Sequence, residues 1–280
     1  MSSNGWYEVI QQNDHLIIIR ERLDKIDIRY LTTYVNLYLI IGDNKALLID
    51  TGCGLVPLKP IIEKYVNGKE LIVVNSHSHF DHVGANSEFD EVYIHKNEEA
   101  IIKKPIDMSH LKEAKNPIAN GYSKNNWLLS PAIKVNPING GETFDLGGIQ
   151  VGCIHTPGHS PGSLSFYTNK KELFTADLAH YGAMFTPPKD NLSFLIASIE
   201  KLIDISVEHK IKEIYPSHEE YNVSLDLLNE LSNNLKNIEN FWKSRKPNKD
   251  NNAWEIEVGK FIFLIKVGRK ERKEFKSKLS

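Results

Sequence analysis

Six consecutive positions of this sequence concentrate side chains that can bind metal ions: His77-Ser78-His79-Phe80-Asp81-His82. Residues two apart point the same way in extended backbone, so His77 and His79 can bind one ion. Asp81 and His82 lie beyond the bend and can reach a second ion. Imidazole nitrogens and carboxylate oxygens are suitable zinc ligands, and burying such a cluster without a metal would leave its polar atoms poorly satisfied. The run therefore predicts a metal site rather than surface or core packing.

Three later residues extend this prediction, and each follows a predicted strand. His159 projects from a loop of residues 155–163 that glycines and prolines make tight. Asp177 follows the strand predicted at 172–175, and His218 follows the strand predicted at 211–215. Open α/β sheets tend to place their functional sites at strand ends, so we expect all of these side chains to meet.

The run 77–82 resembles the H-x-H-x-D-H signature of the metallo-β-lactamase superfamily. The family's later ligand positions are matched in order by His159, Asp177 and His218. Ile49-Asp50-Thr51-Gly52 is similar to the aspartate-bearing turn that precedes the signature, and the resemblance extends from about residue 34 to residue 218.

The resemblance also implies a role for each residue. The first metal ion would be bound by His77, His79 and His159. The second would be bound by Asp81, His82 and His218, with Asp177 bridging the two ions. Asp50 would orient the ligands and tune their basicity, although a turn aspartate that caps local backbone is the alternative. The implied cofactors are two Zn²⁺ ions, with Fe or Mn as alternatives.

Such a centre predicts hydrolysis. Two metal ions lower the pKa of a bound water from about 15.7 toward about 7 and polarise a carbonyl or phosphoryl group. Asp81 would then act as the catalytic residue that orients the hydroxide. The segment 155–163 is similar to the glyoxalase II and lactonase-like branch, and the run from Ser78 through Asp90 resembles an acyl-CoA thioesterase-like subgroup. The expected reaction is hydrolysis of a thioester or a lactone.

Three other functions are possible on the same scaffold. A phosphodiesterase or nuclease would be expected to carry an added basic domain, and an iron-dependent oxidoreductase could use the same ligands. A binding module without activity would be expected to have lost ligands, yet every ligand position is present. Glutathione specificity is disfavoured because a predicted strand hairpin follows His218 where glyoxalase II has a helical domain. A β-lactamase role is disfavoured because no export signal is seen.

The elements that must position these residues alternate between strands and helices. Strands are predicted at residues 15–20, 34–41, 45–50, 71–74, 91–94, 142–146, 149–155, 163–168, 172–175 and 211–215. Helices are predicted at 55–66, 96–103, 191–207 and 224–241, and a hairpin at 254–258 and 261–267. This order predicts an α/β fold, a four-layered αββα sandwich of two mixed β-sheets with helices outside.

Residues 104–134 lose all periodicity, and a loop of that length is usually functional or disordered, so we predict a flap over the active site. Substrate specificity is expected there and around residues 180–188, where His180 and Tyr181 could line the pocket or belong to a simple loop. The whole chain, 1–280, is predicted to form a single domain, with a C-terminal helix plus β-hairpin at 222–268. That hairpin could cover its own core or a partner's edge, which leaves the oligomeric state open.

Composition limits the partners. The chain has 280 residues with 34 basic and 36 acidic side chains, which gives a net charge of −2. The electrostatic field of the whole protein therefore favours neither strongly anionic nor strongly cationic partners. The basic tail 269–278 is read as a solvated tail or frayed helix, and no nucleic acid is expected as a partner. No apolar run is long enough for a membrane span, and no secretory signal is visible. A small-molecule substrate and a cytoplasmic location are expected.

The remaining histidines carry no motif. His15, His95, His110 and His209 are predicted to lie on the surface, and His155 is predicted to pack. Cys53 follows the aspartate-bearing turn, and a small buried hydrophobe is the commoner fate of a free cysteine.

Overall fold

The computed structural model describes residues 5–279. Residues 1–4, which belong to the N-terminus where no secretory signal was seen, lie outside the described residues. The same holds for residue 280, so both ends of the domain predicted at 1–280 lie outside them. The strands are, in chain order, β1 (Glu8–Gln11), β2 (Leu16–Arg22), β3 (Tyr34–Ile41), β4 (Lys45–Ile49), β5 (Glu70–Val74), β6 (Val92–His95), β7 (Ile106–Asp107), β8 (Leu128–Leu129), β9 (Val135–Ile138), β10 (Thr143–Asp145), β11 (Gln150–His155), β12 (Leu164–Thr168), β13 (Glu172–Ala176), β14 (Gly182–Thr186), β15 (Glu213–Pro216), β16 (Lys246–Asn248), β17 (Ala253–Val258) and β18 (Phe261–Lys266). The helices are α1 (Lys59–Val66), α2 (Phe80–Val83), α3 (Glu99–Ile102), α4 (Leu192–Glu208), α5 (Asp226–Lys236), α6 (Ile238–Phe241) and α7 (Arg272–Leu279).

Two large sheets combine antiparallel and parallel pairing. The first has the order β1-β2-β3-β4-β5-β6-β9, antiparallel up to β4 and parallel from β4 onward. The second has the order β10-β11-β12-β13-β15, and only its last pair, β13 with β15, is parallel. Parallel neighbours point their carboxyl ends at the same sheet edge, which is where the predicted site residues follow.

The side chains of these strands alternate between two apolar layers. Ile18 of β2 and Phe166 of β12 meet in the core between the two sheets. Ile19, next along β2, points to the opposite face, which α1 covers. On the outer face of the second sheet, Leu173 packs with Leu195 of α4 and with residues of α5. The layers therefore run helix, sheet, sheet, helix, and the predicted fold class is confirmed.

A third sheet was not predicted. Strand β14 pairs in parallel with β18, which continues to β17 and β16. The sequence of β14, Gly-Ala-Met-Phe-Thr, shows no strict alternation, so periodicity could not reveal it. Phe263 of β18 and Trp254 of β17 are fully buried in the same core as α4 and α5. The C-terminal hairpin thus covers the core of its own chain.

The segment predicted as a flap has structure of its own. It contains the short pair β7–β8 and two 3₁₀ segments, Ser109–Glu113 and Pro117–Asn125. Leu111 and Tyr122 are buried in the core that α1 also covers, and the Tyr122 hydroxyl donates to the carbonyl of Cys53. Much of the segment therefore packs beside the first sheet, and its function as a flap stays a prediction.

The basic C-terminal tail is an anchored helix. In α7 the ring of Phe275 is buried and meets Trp254 edge-on, with ring centroids 5.0 Å apart. Across residues 5–279, no helix has the length and apolar character that crossing a membrane requires.

Candidate metal centre

The two large sheets bring distant parts of the chain to one edge. Asp50 follows β4, and the turn that carries His77 follows β5 of the same sheet. His159, Asp177 and the segment ending in His218 follow β11, β13 and β15 of the second sheet. The sheets are joined at this edge by backbone hydrogen bonds from Leu164 N to Ser76 O and from Asn36 N to Ser217 O, 2.8 and 2.7 Å long. All of the metal ligands predicted from the sequence therefore converge at one place.

The first group consists of His77, His79, His159 and Asp177, whose ligand atoms all lie within 4.8 Å of one another. His79 Nδ1 is 3.0 Å from His77 Nε2 and 2.9 Å from His159 Nε2. Ligands about 2.0–2.1 Å from a tetrahedral zinc ion lie about 3.3–3.4 Å from each other, close to these spacings. Asp177 Oδ2 lies 3.5 Å from His159 Nε2. This geometry suits one metal ion.

The second group consists of Asp81, His82 and His218. Asp81 Oδ2 lies 3.5 Å from His82 Nε2 and 3.6 Å from His218 Nε2. Asp177 also faces this group, because its Oδ1 is 3.2 Å from His82 Nε2 and its Oδ2 is 3.1 Å from His218 Nε2. One carboxylate thus stands between two groups of ligand atoms, as a bridging ligand would.

The outer ring nitrogens of two histidines determine which inner nitrogen is free to bind a metal. His159 Nδ1 lies 3.1 Å from the carbonyl oxygen of Phe185, and His218 Nδ1 lies 2.8 Å from that of Tyr34. A carbonyl oxygen can only accept, so each Nδ1 carries the proton and donates it. In the neutral ring each Nε2 then presents a lone pair to the centre.

Asp50 and Ser76 impose the same tautomer on His77 and His82. The Asp50 carboxylate accepts hydrogen bonds from Ser76 N, from Ser76 Oγ and from His82 Nδ1, 2.7, 2.7 and 2.8 Å long. Since the Ser76 hydroxyl donates to Asp50, it accepts from His77 Nδ1, 3.0 Å away. Asp50 itself has φ 65°, a conformation that few residues other than glycine adopt, and it is completely buried. Its carboxylate holds both the turn before His77 and the ring of His82.

Two polar atoms of the centre lack a hydrogen-bond partner among residues 5–279. They are His82 Nε2 and Asp177 Oδ1, both buried, which lie 3.2 Å from each other without the geometry of a hydrogen bond. Leaving such atoms buried and unpaired costs about 1–3 kcal/mol each. Burial lowers the pKa of His82, but the carboxylates of Asp177, Asp81 and Asp50 outweigh it and raise that pKa well above its ordinary value. A cation at this position satisfies both atoms, so the donor set fits a metal ion.

Burial and nearby carboxylates also shift the pKa of three other histidines of the centre, two downward and one upward. Burial is the main cause that lowers the pKa of His159 to about 4, and it lowers the pKa of His77 well below its ordinary value. Both rings are therefore neutral at pH 7 and can offer a lone pair. Burial also acts on His218, but the Asp177 carboxylate raises its pKa to about 9.

Glu98 supports the centre and was not identified from the sequence. Its Oε2 accepts from Ser78 N at 2.8 Å, in the turn that carries His77 and His79. Its Oε1 accepts from Ser160 Oγ and from Gly162 N, in the loop that carries His159. Glu98 is buried, and these hydrogen bonds outweigh burial and lower its pKa. One acidic residue before a short helix gave no signal of this role.

Replacing Glu98 with glutamine should loosen both turns at once. The side-chain amide has a single acceptor oxygen and puts an NH₂ group against an N–H or O–H donor. We expect a fall of about 10–100-fold in hydrolytic activity or in metal affinity, as for other partners that orient metal ligands. Metal titration and steady-state rates measure the effect. The matched control is Glu99→Gln, whose wild-type carboxylate pairs with Lys103 on the surface; equal behaviour of the two variants would contradict the assignment.

His180 and Tyr181, the two residues predicted as possible pocket residues, lie in different places. His180 is buried with its ring centroid 5.2 Å from that of His218, and its pKa is lowered to about 4, chiefly by burial. Tyr181 turns away: its hydroxyl donates to Glu230, and its ring packs 5.2 Å from that of Phe261. The structure brings His180 next to the ligand groups and does not bring Tyr181 there.

Two histidines outside the ligand groups make contacts that the sequence did not indicate. His95 was predicted at the surface, and this is wrong: it is buried, and its ring stacks on that of His155 with centroids 4.0 Å apart. His110 lies beside the motif, because it is hydrogen-bonded to Tyr30, whose ring stacks on Phe80 at 5.4 Å. This contact is where the segment 104–134 meets the metal-binding run, and no pattern in the sequence indicated it.

This chain is similar to known proteins over most of its length. Residues 31–218 match the family model described as the metallo-beta-lactamase superfamily. An acyl-coenzyme A thioesterase, MBLAC2, is 25% identical over 233 residues in Gallus gallus, covering 78% of this chain and 82% of that protein. The human protein of the same name is 25% identical, with 78% and 83% covered. A probable metallo-hydrolase of Methanocaldococcus jannaschii is 33% identical and covers 66% of this chain and 87% of its own length.

Solved structures show the same fold. A metallo-beta-lactamase from Pontibacter korlensis superposes with a TM-score of 0.60 at 19% identity, covering 82% of this chain and 99% of that one. An archaeal superfamily protein from Sulfolobus tokodaii has a TM-score of 0.55 at 20% identity, with 88% and 89% covered. The family model spans well over half of the chain and ends at the last of the predicted ligands. This chain belongs to the metallo-β-lactamase superfamily and is a metal-dependent hydrolase.

Proposed function

We propose that this protein is a dinuclear zinc-dependent thioesterase that hydrolyses acyl-coenzyme A or a similar acyl thioester. The observation that carries the proposal is the pair of ligand groups that share Asp177 at the strand exits. A thioester is favoured over other acyl compounds because relatives named acyl-coenzyme A thioesterase match 78% of the chain.

The residues present would divide between two ions as the sequence predicted. One ion would be held by His77, His79 and His159, and the other by Asp81, His82 and His218, with Asp177 between them. Neutral imidazole and carboxylate are zinc ligands, and iron or manganese can use the same donors. When bound, such ions supply a hydroxide nucleophile at neutral pH and polarise the substrate carbonyl.

Asp81 would position the attacking water. Its Oδ2 faces His82 and His218, and the side chain is only 11% exposed, so it is held in one orientation. The other carboxylate oxygen would accept a hydrogen bond from the water and take up the one proton that the water loses in becoming the hydroxide that attacks the carbonyl carbon. Asp50 and Glu98 would act indirectly, by holding the ligand rings in the orientation that positions the water.

A thioester suits this arrangement for a chemical reason. Collapse of the tetrahedral adduct breaks the carbon–sulfur bond and releases a thiolate, and an ordinary thiol has a pKa of only about 8.5. The leaving group therefore departs without being protonated first, and it collects its proton afterwards from Asp81 or solvent. The products are a carboxylate and a thiol.

Metal analysis of the purified protein tests the centre. We expect about two zinc ions per chain in the metal-replete protein and loss of about one when Asp81 is replaced by alanine. One iron per chain in the wild type would overturn the two-zinc assignment.

A hydrolysis panel tests the substrate class. Metal-replete enzyme would be given acyl-coenzyme A thioesters, lactones, phosphodiesters and β-lactams, and thiol release would be followed for the thioesters. We expect the largest kcat/KM with the thioesters. Preference for a phosphodiester, or for lactones with no thioester turnover, would overturn the proposal.

A further inference from the structure

A cleft of about 490 Å³ opens directly beside the first ligand group, with His79 and His159 in its wall. Its volume lies within the range of small-molecule sites, about 300–1,000 Å³. The cleft continues away from the histidines between β14, the start of α4 and the strands β17 and β18. A substrate whose carbonyl sits at the histidines can therefore extend a substituent along it.

The wall of the cleft is mainly apolar. It includes several prolines, Leu264, and two phenylalanines that are exposed: Phe185 to 39% and Phe194 to 64%. Exposed aromatic side chains grouped in a concave site beside a reactive centre are typical of ligand binding. Phe194 lies in the first turn of α4, whose buried face is formed by Leu195, Ile199 and Leu202, so the fold does not need it.

The charges of the cleft favour a hydrocarbon over the nucleotide end of coenzyme A. Among the described residues of its wall, Lys266 is the one lysine, arginine or carboxylate, and it takes part in none of the ion pairs of the described chain. The nearby cations Lys189 and Lys270 are paired with Glu239 and Asp190. Several phosphate groups would need several free cations. An acyl chain needs apolar surface, which the cleft offers.

We propose that this cleft binds the acyl chain of the substrate, and that Phe194 sets the chain-length preference. This inference rests on the proposed thioesterase function and adds the class of acyl group to it: unbranched chains of medium length or longer. Lys266, at the rim, would meet a single anionic group of the substrate. The carbonyl would lie at His79 and His159, and the chain would run past Phe185 to Phe194.

A chain-length series tests the proposal. For butanoyl-, octanoyl- and dodecanoyl-coenzyme A, all below their micelle concentrations, kcat/KM of the wild type should rise about twofold to fourfold per buried methylene until the cleft is filled. In Phe194→Ala the loss for the dodecanoyl substrate should exceed the loss for the butanoyl substrate by about tenfold. The matched control is Val207→Ala at the other end of α4, where an apolar side chain is 76% exposed outside the cleft; it should keep the wild-type slope.

A binding measurement independent of turnover accompanies the series. Dodecanoate should bind the metal-free wild type more tightly than it binds Phe194→Ala, by calorimetric titration. If Lys266→Ala raises KM equally for every chain length while Phe194→Ala leaves the slope unchanged, the cleft holds the coenzyme end and the proposal is wrong. A flat chain-length profile in an active thioesterase also overturns it. Absence of all thioester turnover in the wild type defeats the proposed function instead.

Discussion

Replacing His79 or Asp81 with alanine should abolish hydrolysis while the protein stays folded. Each change removes one proposed ligand, His79 from the first group and Asp81 from the second. Loss of a residue that only orients a metal ligand costs about 10–100-fold, so loss of the ligand itself should lower kcat/KM by at least about a thousandfold. His79 is exposed, so its removal leaves no buried cavity. Steady-state rates and circular dichroism of each variant check the two halves of the prediction.

Controls for these variants lie on α4 and near its end. His209→Ala and Asp204→Ala remove the same kinds of side chain at positions that belong to neither ligand group, and both should retain wild-type rates. Zinc content should separate the variants further, because His79→Ala should weaken the first site and Asp81→Ala the second. An Asp81→Ala enzyme that keeps its activity would disprove the assigned role of that carboxylate.

Removing the metal should both inactivate and destabilise the protein. The unpaired His82 Nε2 and Asp177 Oδ1 are buried, and an ion bound only by the folded state shifts unfolding by mass action. At a zinc concentration about a thousandfold above Kd, the gain is about 4 kcal/mol, which for a chain of this size corresponds to a Tm rise of roughly 7 °C. Thermal unfolding after chelation, and again after zinc is returned, measures the shift.

The variant Asp177→Asn serves as the comparison for this experiment. It keeps the shape of the side chain but removes the charge shared by both groups, so zinc should raise its Tm much less than that of the wild type. His209→Ala should respond to zinc as the wild type does. Identical unfolding of the chelated and zinc-loaded wild type would rule out a metal centre that stabilises the fold.

The sequence by itself determined which side chains of this protein can bind metal ions. Three histidines and an aspartate are contiguous at 77–82, so their proximity follows from covalent connection alone. The later ligands could be assigned to the same sheet edge because each follows a strand. Strands such as Tyr34–Ile41 can be predicted from local hydrophobicity. The same local patterns yielded the αββα layering. The family resemblance then assigned the ligands to two ions, an assignment that stays a prediction, and the structure brings the same side chains together as two neighbouring groups.

Only the tertiary structure decided how those residues are supported and what lies beside them. Glu98 joins the turn at Ser78 to the loop at Gly162, a contact across 64 residues of chain that no local period encodes. Strand β14 acquires its partner β18 nearly eighty residues later, and that pairing builds one wall of the cleft. The local sequence shows the hydrophobic periodicity and the types of possible metal ligands. Long-range hydrogen bonds and concave surfaces depend instead on how separate segments of the chain pack together.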